Sequence, residues 1–345
     1  MVVVRPIRTL LVLPVAAAAL LAAAQPASAH DLGGRQPTDI RARVVRVEPP
    51  IGGLDVRMID LGTRVELRNR TTADVVVLGY DGEPYLRVGP AGAFENTRSP
   101  ATFLNRTFNP TERVPSFYDA AARPVWRRID GGQIVRWHDH RAHASRARVA
   151  HGPLQWRIPL RVDARAVSVV GEARLIHAGA WWAWFLLSTA IVGVVVVAAR
   201  RAWRATVIVV LTAMITAGVV HVVAGWASAA NSVPARLGAI LIPAIGVLLG
   251  VIAVVRAARR SAEAAAPWVL LAGVVLFIGL GLGDVLDLVR SQLPSSLPAD
   301  AVRALVALQL GGGVGLVIAG ARRLRPVQPE VARTALRASE PEAAT

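Results

Sequence analysis

The sequence has neither cysteine nor lysine among its 345 residues. The lack of cysteine excludes disulfide bonds, thiolate zinc sites, iron–sulfur clusters and thiol catalysis. The lack of lysine excludes Schiff-base chemistry, and it means that all 39 cationic side chains are arginine. Only 18% of the residues are charged, whereas 54% are hydrophobic, and most of the apolar ones lie between 175 and 325. This distribution excludes both a soluble enzyme with one ordinary core and a disordered chain.

Motifs that accompany catalysis are missing as well. The sequence has no G-x-S-x-G, no H-E-x-x-H and no Walker motif. The acidic residues of the first half are scattered and form no paired arrangement. The sequence therefore favours a protein that is not an enzyme.

The N-terminal segment 1–29 is typical of a signal peptide. Arg5 and Arg8 make a basic start, an apolar stretch follows, and Ala27-Ser28-Ala29 has the small-x-small pattern of a cleavage site. Cleavage after Ala29 would make His30 the mature N-terminus. The alternative is an uncleaved N-terminal anchor.

Five stretches without formal charge predict membrane-spanning helices in a transmembrane domain over residues 175–325. Each approaches the roughly 20 residues that a bilayer requires, and in hydrocarbon a single segment satisfies its backbone only as a helix. The predicted spans cover about 178–199, 205–227, 237–255, 267–288 and 303–321.

Arginine clusters predict the orientation of these helices. They follow the first, third and fifth spans, and such clusters belong on the cytoplasmic side. The prediction is a multi-pass cell-membrane protein in contact with lipid, with segment 30–174 exported and residues 326–345 forming a disordered cytoplasmic tail. Because many arginines determine topology, and because the first half is exported, nucleic acid is excluded as a partner.

Segment 30–174 is predicted to be an all-β, immunoglobulin-like sandwich. The clearest strand signal is Gln155–Val162, where apolar and polar residues alternate; Pro159 predicts that this strand lies at an edge. Residues 89–123 lack periodicity and are expected to be a long loop. The predicted strands are Ala42–Val47, Leu54–Ile59, Arg64–Asn69, Asp74–Leu78, Pro84–Val88, Gln133–Trp137, Leu154–Val162 and Ala166–Leu175.

A histidine cluster follows the sixth of these strands. On a strand, His138 and His140 would point to one face and could share a metal ion, with His143 as a third ligand and His30 adding a terminal amine. Imidazole without thiolate suits Cu(II), Zn(II) or Ni(II). The alternative is a hydrogen-bonded, structural loop whose histidines bind nothing.

A second polar group lies inside the predicted membrane domain. His221 is in the second span, and Asp284 and Asp287 are in the fourth, three residues apart and hence on one helix face. Ionisable groups at membrane depth usually face a partner or a wet cavity, so we expect His221 to pair with Asp284 in a metal or proton site. The alternative is that Asp287 lies at the membrane interface, Asp284 extends toward that interface, and His221 bonds a neighbouring backbone group.

Three features together resemble bacterial copper-handling envelope proteins of the CopC/CopD and YcnI type. They are a signal peptide ending before His30, an exported β-sandwich and a helical membrane domain with the polar His221. The resemblance implies that His30 binds copper. The stretch Gly79–Arg87, with Asn96, Ser99-Pro100-Ala101 and Trp137–His140, is also similar to uncharacterised actinobacterial exported membrane proteins, which brings no known activity.

Two hypotheses of different class therefore remain. The first is an envelope protein whose exported domain binds a divalent metal, with copper as the expected ion and other envelope or metal-handling proteins as partners. The second is a non-enzymatic envelope scaffold without metal. The net charge of +7 on segment 30–174, from 23 arginines against 16 acids, would suit docking to an anionic wall polymer.

Overall fold

The structure, a computed structural model, describes residues 36–106, 113–228 and 233–324. The described chain divides into two compact units. A β unit contains residues 36–179 together with Val289–Pro294, and a helical unit contains the rest. The predicted signal peptide, His30 and the predicted tail 326–345 lie outside the described residues.

Two antiparallel sheets form the β unit, as the sequence predicted. The larger sheet has the strand order β1-β10-β9-β4-β5-β6-β7, and the smaller has the order β2-β3-β8. The strands are β1 Ile40–Glu48, β2 Leu54–Ile59, β3 Arg64–Asn69, β4 Val75–Leu78, β5 Pro84–Gly89, β6 Gly92–Asn96, β7 Trp126–Asp130, β8 Ile134–Trp137, β9 Leu154–Val162 and β10 Arg165–Leu175.

One apolar core joins the two sheets and makes them a sandwich. Val65, Leu67 and Trp137 of the small sheet pack in the same buried cluster as Ile158 and Leu160 of the large one. On β9 the buried residues alternate with exposed ones, because side chains of a strand point to opposite faces in turn. The alternation in the sequence therefore identifies this strand and its buried face correctly.

The edge position predicted for β9 is wrong. This strand lies between β10 and β4. β10 pairs with it along its whole length, but β4 pairs only with Leu160–Val162. Pro159 lies just outside the part that β4 pairs with, so an interior strand tolerates a residue without a backbone donor there.

The predicted long loop 89–123 is also partly wrong. It contains β6 and a short helix, α1 (Pro100–Leu104), whose N-terminus is capped by Ser99. A second short helix, α2 (Arg146–Val149), follows the histidine cluster and is capped by Ser145. Neither helix was predicted, because one turn of helix leaves no periodic pattern.

Residues 289–294 join the β unit although they lie at and after the end of the fourth span. Thr38 and Gln292 form an antiparallel bridge through two backbone hydrogen bonds of 3.0 and 2.9 Å. The buried Asp39 carboxylate accepts from Arg290 Nη1 at 2.6 Å and from the Ser291 backbone N–H at 2.9 Å. Burial opposes ionisation of Asp39, but these hydrogen bonds and the charge of Arg290 lower its pKa overall.

Five helices of the helical unit are long and apolar enough to cross a membrane, so the chain is a membrane protein. The fourth span, Ala262–Val289, is not one regular helix. It comprises α6, a π-helical segment Phe277–Leu282 and the short α7. The helices are α3 Trp181–Arg201, α4 Trp203–Ser228, α5 Val233–Arg259, α6 Ala262–Leu276, α7 Leu286–Val289 and α8 Ala299–Ala321.

Glycines let α8 approach its neighbours closely. A Cβ on Gly311 would lie 2.3 Å from the backbone oxygen of Ser188, and one on Gly315 would lie 2.7 Å from Val195 Cβ. Both contacts are with α3. The Gly311/Gly315 pair therefore acts as the small-xxx-small spacing predicts.

Candidate functional site

The histidine cluster lies directly after β8, in a turn and not on the strand. β8 ends at Trp137, so the alternation expected to place His138 and His140 on one face does not apply. The structure nevertheless brings three rings together. The ring of His138 is 4.7 Å from that of His140 and 5.1 Å from that of His143, between centroids.

Asp139 organises this turn from inside. This residue is 1% exposed, and its side chain accepts hydrogen bonds from Trp137 Nε1 at 3.0 Å and from the Arg141 backbone N–H at 3.0 Å. The Arg141 guanidinium also donates to both carboxylate oxygens, at 2.9 Å each. The backbone oxygen of Asp139 accepts from the N–H groups of Ala142 and His143. Asp139 thus folds the chain back so that His143 returns to His138.

Backbone carbonyls orient two of the three imidazoles. Nδ1 of His138 lies 2.8 Å from the Thr63 oxygen, and Nε2 of His140 lies 2.9 Å from the Leu104 oxygen. A carbonyl only accepts, so in the neutral rings these nitrogens carry the proton. The lone pair is then on Nε2 of His138 and on Nδ1 of His140. Ligand histidines are commonly oriented by such carbonyl contacts.

The surroundings keep His138 neutral. Its side chain is 7% exposed. Burial lowers the pKa of His138 to about 4, against a smaller opposing effect of the hydrogen bond to Thr63. Burial likewise lowers the pKa of His143, with a further contribution from His140. A neutral imidazole is the form that ligates metal.

The sequence analysis missed the polar residues that hold the cluster in place. The Tyr80 hydroxyl accepts from the His140 backbone N–H at 3.0 Å and donates to Asn105 Oδ1. The Arg141 guanidinium lies 4.9 Å from the Tyr80 ring centroid. Burial raises the pKa of Tyr80 above its usual range. Tyr80 and Asp139 lie in stretches that the sequence analysis singled out, Gly79–Arg87 and the His-Asp-His motif. Asn105 gave no signal, because it is remote from the histidines in sequence.

The second polar group lies within the helical unit. Nε2 of His221, on α4, is 3.2 Å from Oδ2 of Asp284. Asp287 on α7 is 4% exposed. One potential ligand atom from each of His221, Asp284 and Asp287 lies within 4.8 Å of the other two. Among the residues that the structure describes, this is the one group of three metal-ligand side chains with that spacing, and the histidine cluster of the β unit does not meet it.

A distorted stretch of the fourth span positions the two aspartates. The π-helical segment ends at Leu282 and the chain turns before α7 begins. Within the turn, the Asp287 N–H donates to the Asp284 oxygen at 2.9 Å. π-Helical turns inside α-helices occur frequently at functional sites. Here the turn keeps both aspartates near His221.

Comparison with protein families, curated proteins and solved structures gives no match to this chain. The candidate sites therefore stand on their own geometry.

Proposed function

We propose that this membrane protein binds a divalent metal ion, with copper as the expected ion, through the histidine cluster of an exported β unit. The observation that carries this proposal is the contact of three imidazole rings, those of His138, His140 and His143. Imidazole nitrogens without thiolate favour Cu(II), Zn(II) or Ni(II) over soft Cu(I). His30 remains an additional ligand in this proposal.

Two of the three rings have the protonation that a metal site needs. The contacts of His138 with Thr63 and of His140 with Leu104 place a lone pair on the opposite nitrogen of each ring. The rings meet edge to face and their nitrogens lie outside metal-ligand spacing, so a bound ion would require the rings to rotate until the donors lie within about 2.0–2.1 Å, a usual metal–imidazole distance. The rigid support from Asp139 would limit these rotations to the side chains.

The proposed location is the extracytoplasmic side of the cell membrane, with the C-terminus in the cytoplasm. The arginine clusters after the first, third and fifth spans support this orientation. Residues 289–294 belong to the β unit and follow four of the five spans, so the number of crossings between them and the rest of that unit is even. We propose a binding role without catalysis, in envelope metal handling and in contact with other metal-handling proteins.

The test is Cu(II) binding by the full-length protein in detergent, after removal of metal with a chelator. We expect about one Cu(II) whose paramagnetic resonance shows coupling to two or three imidazole nitrogens. The His138→Ala/His140→Ala double variant should lose this signal and keep its β-sheet circular dichroism. His151→Ala, which changes an exposed histidine of the same unit, serves as the control and should bind as the parent does. An unchanged copper stoichiometry in the double variant would contradict the assignment.

A scaffold without metal is the second candidate, and the network around Asp139 favours it. That network makes hydrogen bonds to backbone and side-chain groups of four separate segments, including the carbonyls of Gly79 and Leu104. A turn with a purely structural role requires the same hydrogen bonds. If the parent protein binds no copper and its double variant only loses stability, the scaffold hypothesis is the better one.

A further inference from the structure

We propose that His221, Asp284 and Asp287 form a second binding site, for a divalent transition-metal ion, inside the helical unit. This site goes beyond the histidine cluster. It lies in the other compact unit, uses two carboxylates where the cluster uses imidazoles, and does not depend on copper binding by the β unit.

The first argument is ligand spacing. Around an ion with bonds of about 2.1 Å, tetrahedral ligand atoms lie about 3.4 Å apart. His221 Nε2 and Asp284 Oδ2 already have this separation, at 3.2 Å. The third ligand atom, from Asp287, lies within 4.8 Å of both. Closing this group around an ion therefore requires a shift of little more than 1 Å at one carboxylate.

The second argument is the state of Asp287. Its side chain is 4% exposed, and among the described residues no side chain or backbone N–H donates a hydrogen bond to its carboxylate. Buried carboxylates normally have such donors, since desolvation without compensation costs several kcal/mol. Its backbone oxygen accepts from Arg303 Nε at 3.3 Å, and its N–H donates to the Asp284 oxygen at 2.9 Å. A cation bound beside Asp284 would supply the missing partner.

The third argument is charge balance. With a neutral imidazole, the two carboxylates contribute a charge of −2. The nearby Arg303 is buried; its Nη1 donates to the exposed carboxylate of Asp300 at 2.7 Å, and its positive charge also acts on Asp287. A divalent ion between Asp284 and Asp287 would compensate both carboxylates, whereas Arg303 contacts Asp287 through its backbone oxygen. Uncompensated charge is expensive inside a membrane domain.

The ligand set indicates the class of ion. One imidazole with two carboxylates suits Zn(II), Mn(II) or Fe(II), while soft Cu(I) prefers thiolate or thioether ligands. We therefore use Zn(II) as the probe, since it accepts both nitrogen and oxygen donors in four-coordinate sites.

The experiment uses full-length protein carrying His138→Ala/His140→Ala, so that the histidine cluster cannot contribute. The protein is purified in detergent, stripped with a chelator and titrated with Zn(II), and bound metal is counted by mass spectrometry. We expect one Zn(II) for each chain. Adding Asp284→Asn/Asp287→Asn should remove it, because the amides keep the shape and lose the charge. Glu263→Gln is the matched control, since Glu263 lies at the opposite end of the same span, and it should keep the metal.

The outcomes separate the two proposals. Loss of zinc in the amide variant, with zinc retained in the control, supports the intramembrane site whether or not the β unit binds copper. If the amide double variant is not recovered folded, Asp287→Asn alone should weaken binding at least about tenfold, in the range seen when groups around a metal are changed. Two results would overturn the proposal. The first is the absence of zinc from the parent, as expected for a site that holds only a proton. The second is equal zinc in the parent and the amide variants.

Discussion

Gly311 offers a sharp test of how the helical unit packs. In Gly311→Ala the new methyl group would lie 2.3 Å from the Ser188 backbone oxygen and 2.8 Å from Ile191 Cβ. Real Cβ contacts essentially never come this close. The first obstacle is a backbone atom in the middle of α3, so no side-chain rotation relieves it. The two helices must separate, and the contacts along their interface are weakened.

Two effects of opposite sign set the magnitude. Overpacking a well-packed interface costs about 1–3 kcal/mol. Alanine is about 0.5–1 kcal/mol better than glycine inside a helix. Because a backbone atom blocks the methyl group, we take the upper part of the overpacking range, and the steric effect wins. The expected net loss for Gly311→Ala is about 1–2 kcal/mol in the free energy of unfolding.

Gly193→Ala is the matched control. Gly193 lies on α3, and a Cβ there would have nothing within 4 Å. Only the helix-propensity effect remains, so this variant should be neutral or more stable by up to about 1 kcal/mol. Unfolding of full-length protein by increasing amounts of a denaturing detergent, followed by helical circular dichroism, measures both. Equal stabilities of the two variants would refute the close approach of α8 and α3.

Two further predictions concern the β unit. The pKa of His138 is lowered to about 4 in the folded state, against about 6.5 in the unfolded chain. Between these two values the unfolded chain binds a proton that the folded protein does not. The free energy of unfolding should therefore fall by about 1.4 kcal/mol for each unit by which the pH is lowered from about 6.5 to 4. Thermal unfolding across this range should show a shallower slope for His138→Asn, whose amide still donates to Thr63; equal slopes would contradict the burial of His138. Asp39→Asn should cost about 1.5–3 kcal/mol, the range for hydrogen bonds to charged groups. It should speed hydrogen exchange at Thr38, Ser291 and Gln292, whereas Asp300→Asn should leave these amides unchanged. Because the pKa of Asp39 is lowered, its stabilisation holds above the unfolded value of about 3.9 and disappears as the pH falls through the folded value; unchanged exchange at these amides would contradict the role of Asp39.

Local pattern was sufficient for much of the fold. Strands with β-branched residues and a buried face, such as Leu54–Ile59 and Arg64–Asn69, have the predicted bounds. β7 was not predicted because it is an edge strand in which arginines and Asp130 interrupt the apolar residues. β6 was not predicted because Gly92 and Ala93 have little strand propensity. Pairing with neighbours, which no local pattern records, makes both segments strands.

The long-range contacts could not be predicted from local pattern. Nothing near Thr38 or Asp39 indicates that their partners are Gln292 and Arg290, about 250 residues further along the chain. One practical consequence concerns the boundaries of the β unit. A fragment that stops at residue 174 would lose Arg290 and leave Asp39 buried without that partner, so the proposed copper site is better measured in the full chain.

The two candidate sites differ in how far the sequence alone specifies them. The histidines of the cluster are close in sequence, and the turn around Asp139 brings their rings together although the expected strand is not there. His221 and the two aspartates are more than 60 residues apart, and the sequence pairs them only because ionisable groups at membrane depth usually face a partner. That argument does not decide which face of each helix meets the other. That choice depends on the π-helical segment before Asp284, since such a segment shifts the following side chains around the helix axis relative to a regular α-helix. The 3.2 Å separation of His221 and Asp284 therefore depends on a local irregularity as well as on helix packing, and insertion or deletion of one residue between Phe277 and Leu282 should move both aspartates away from His221.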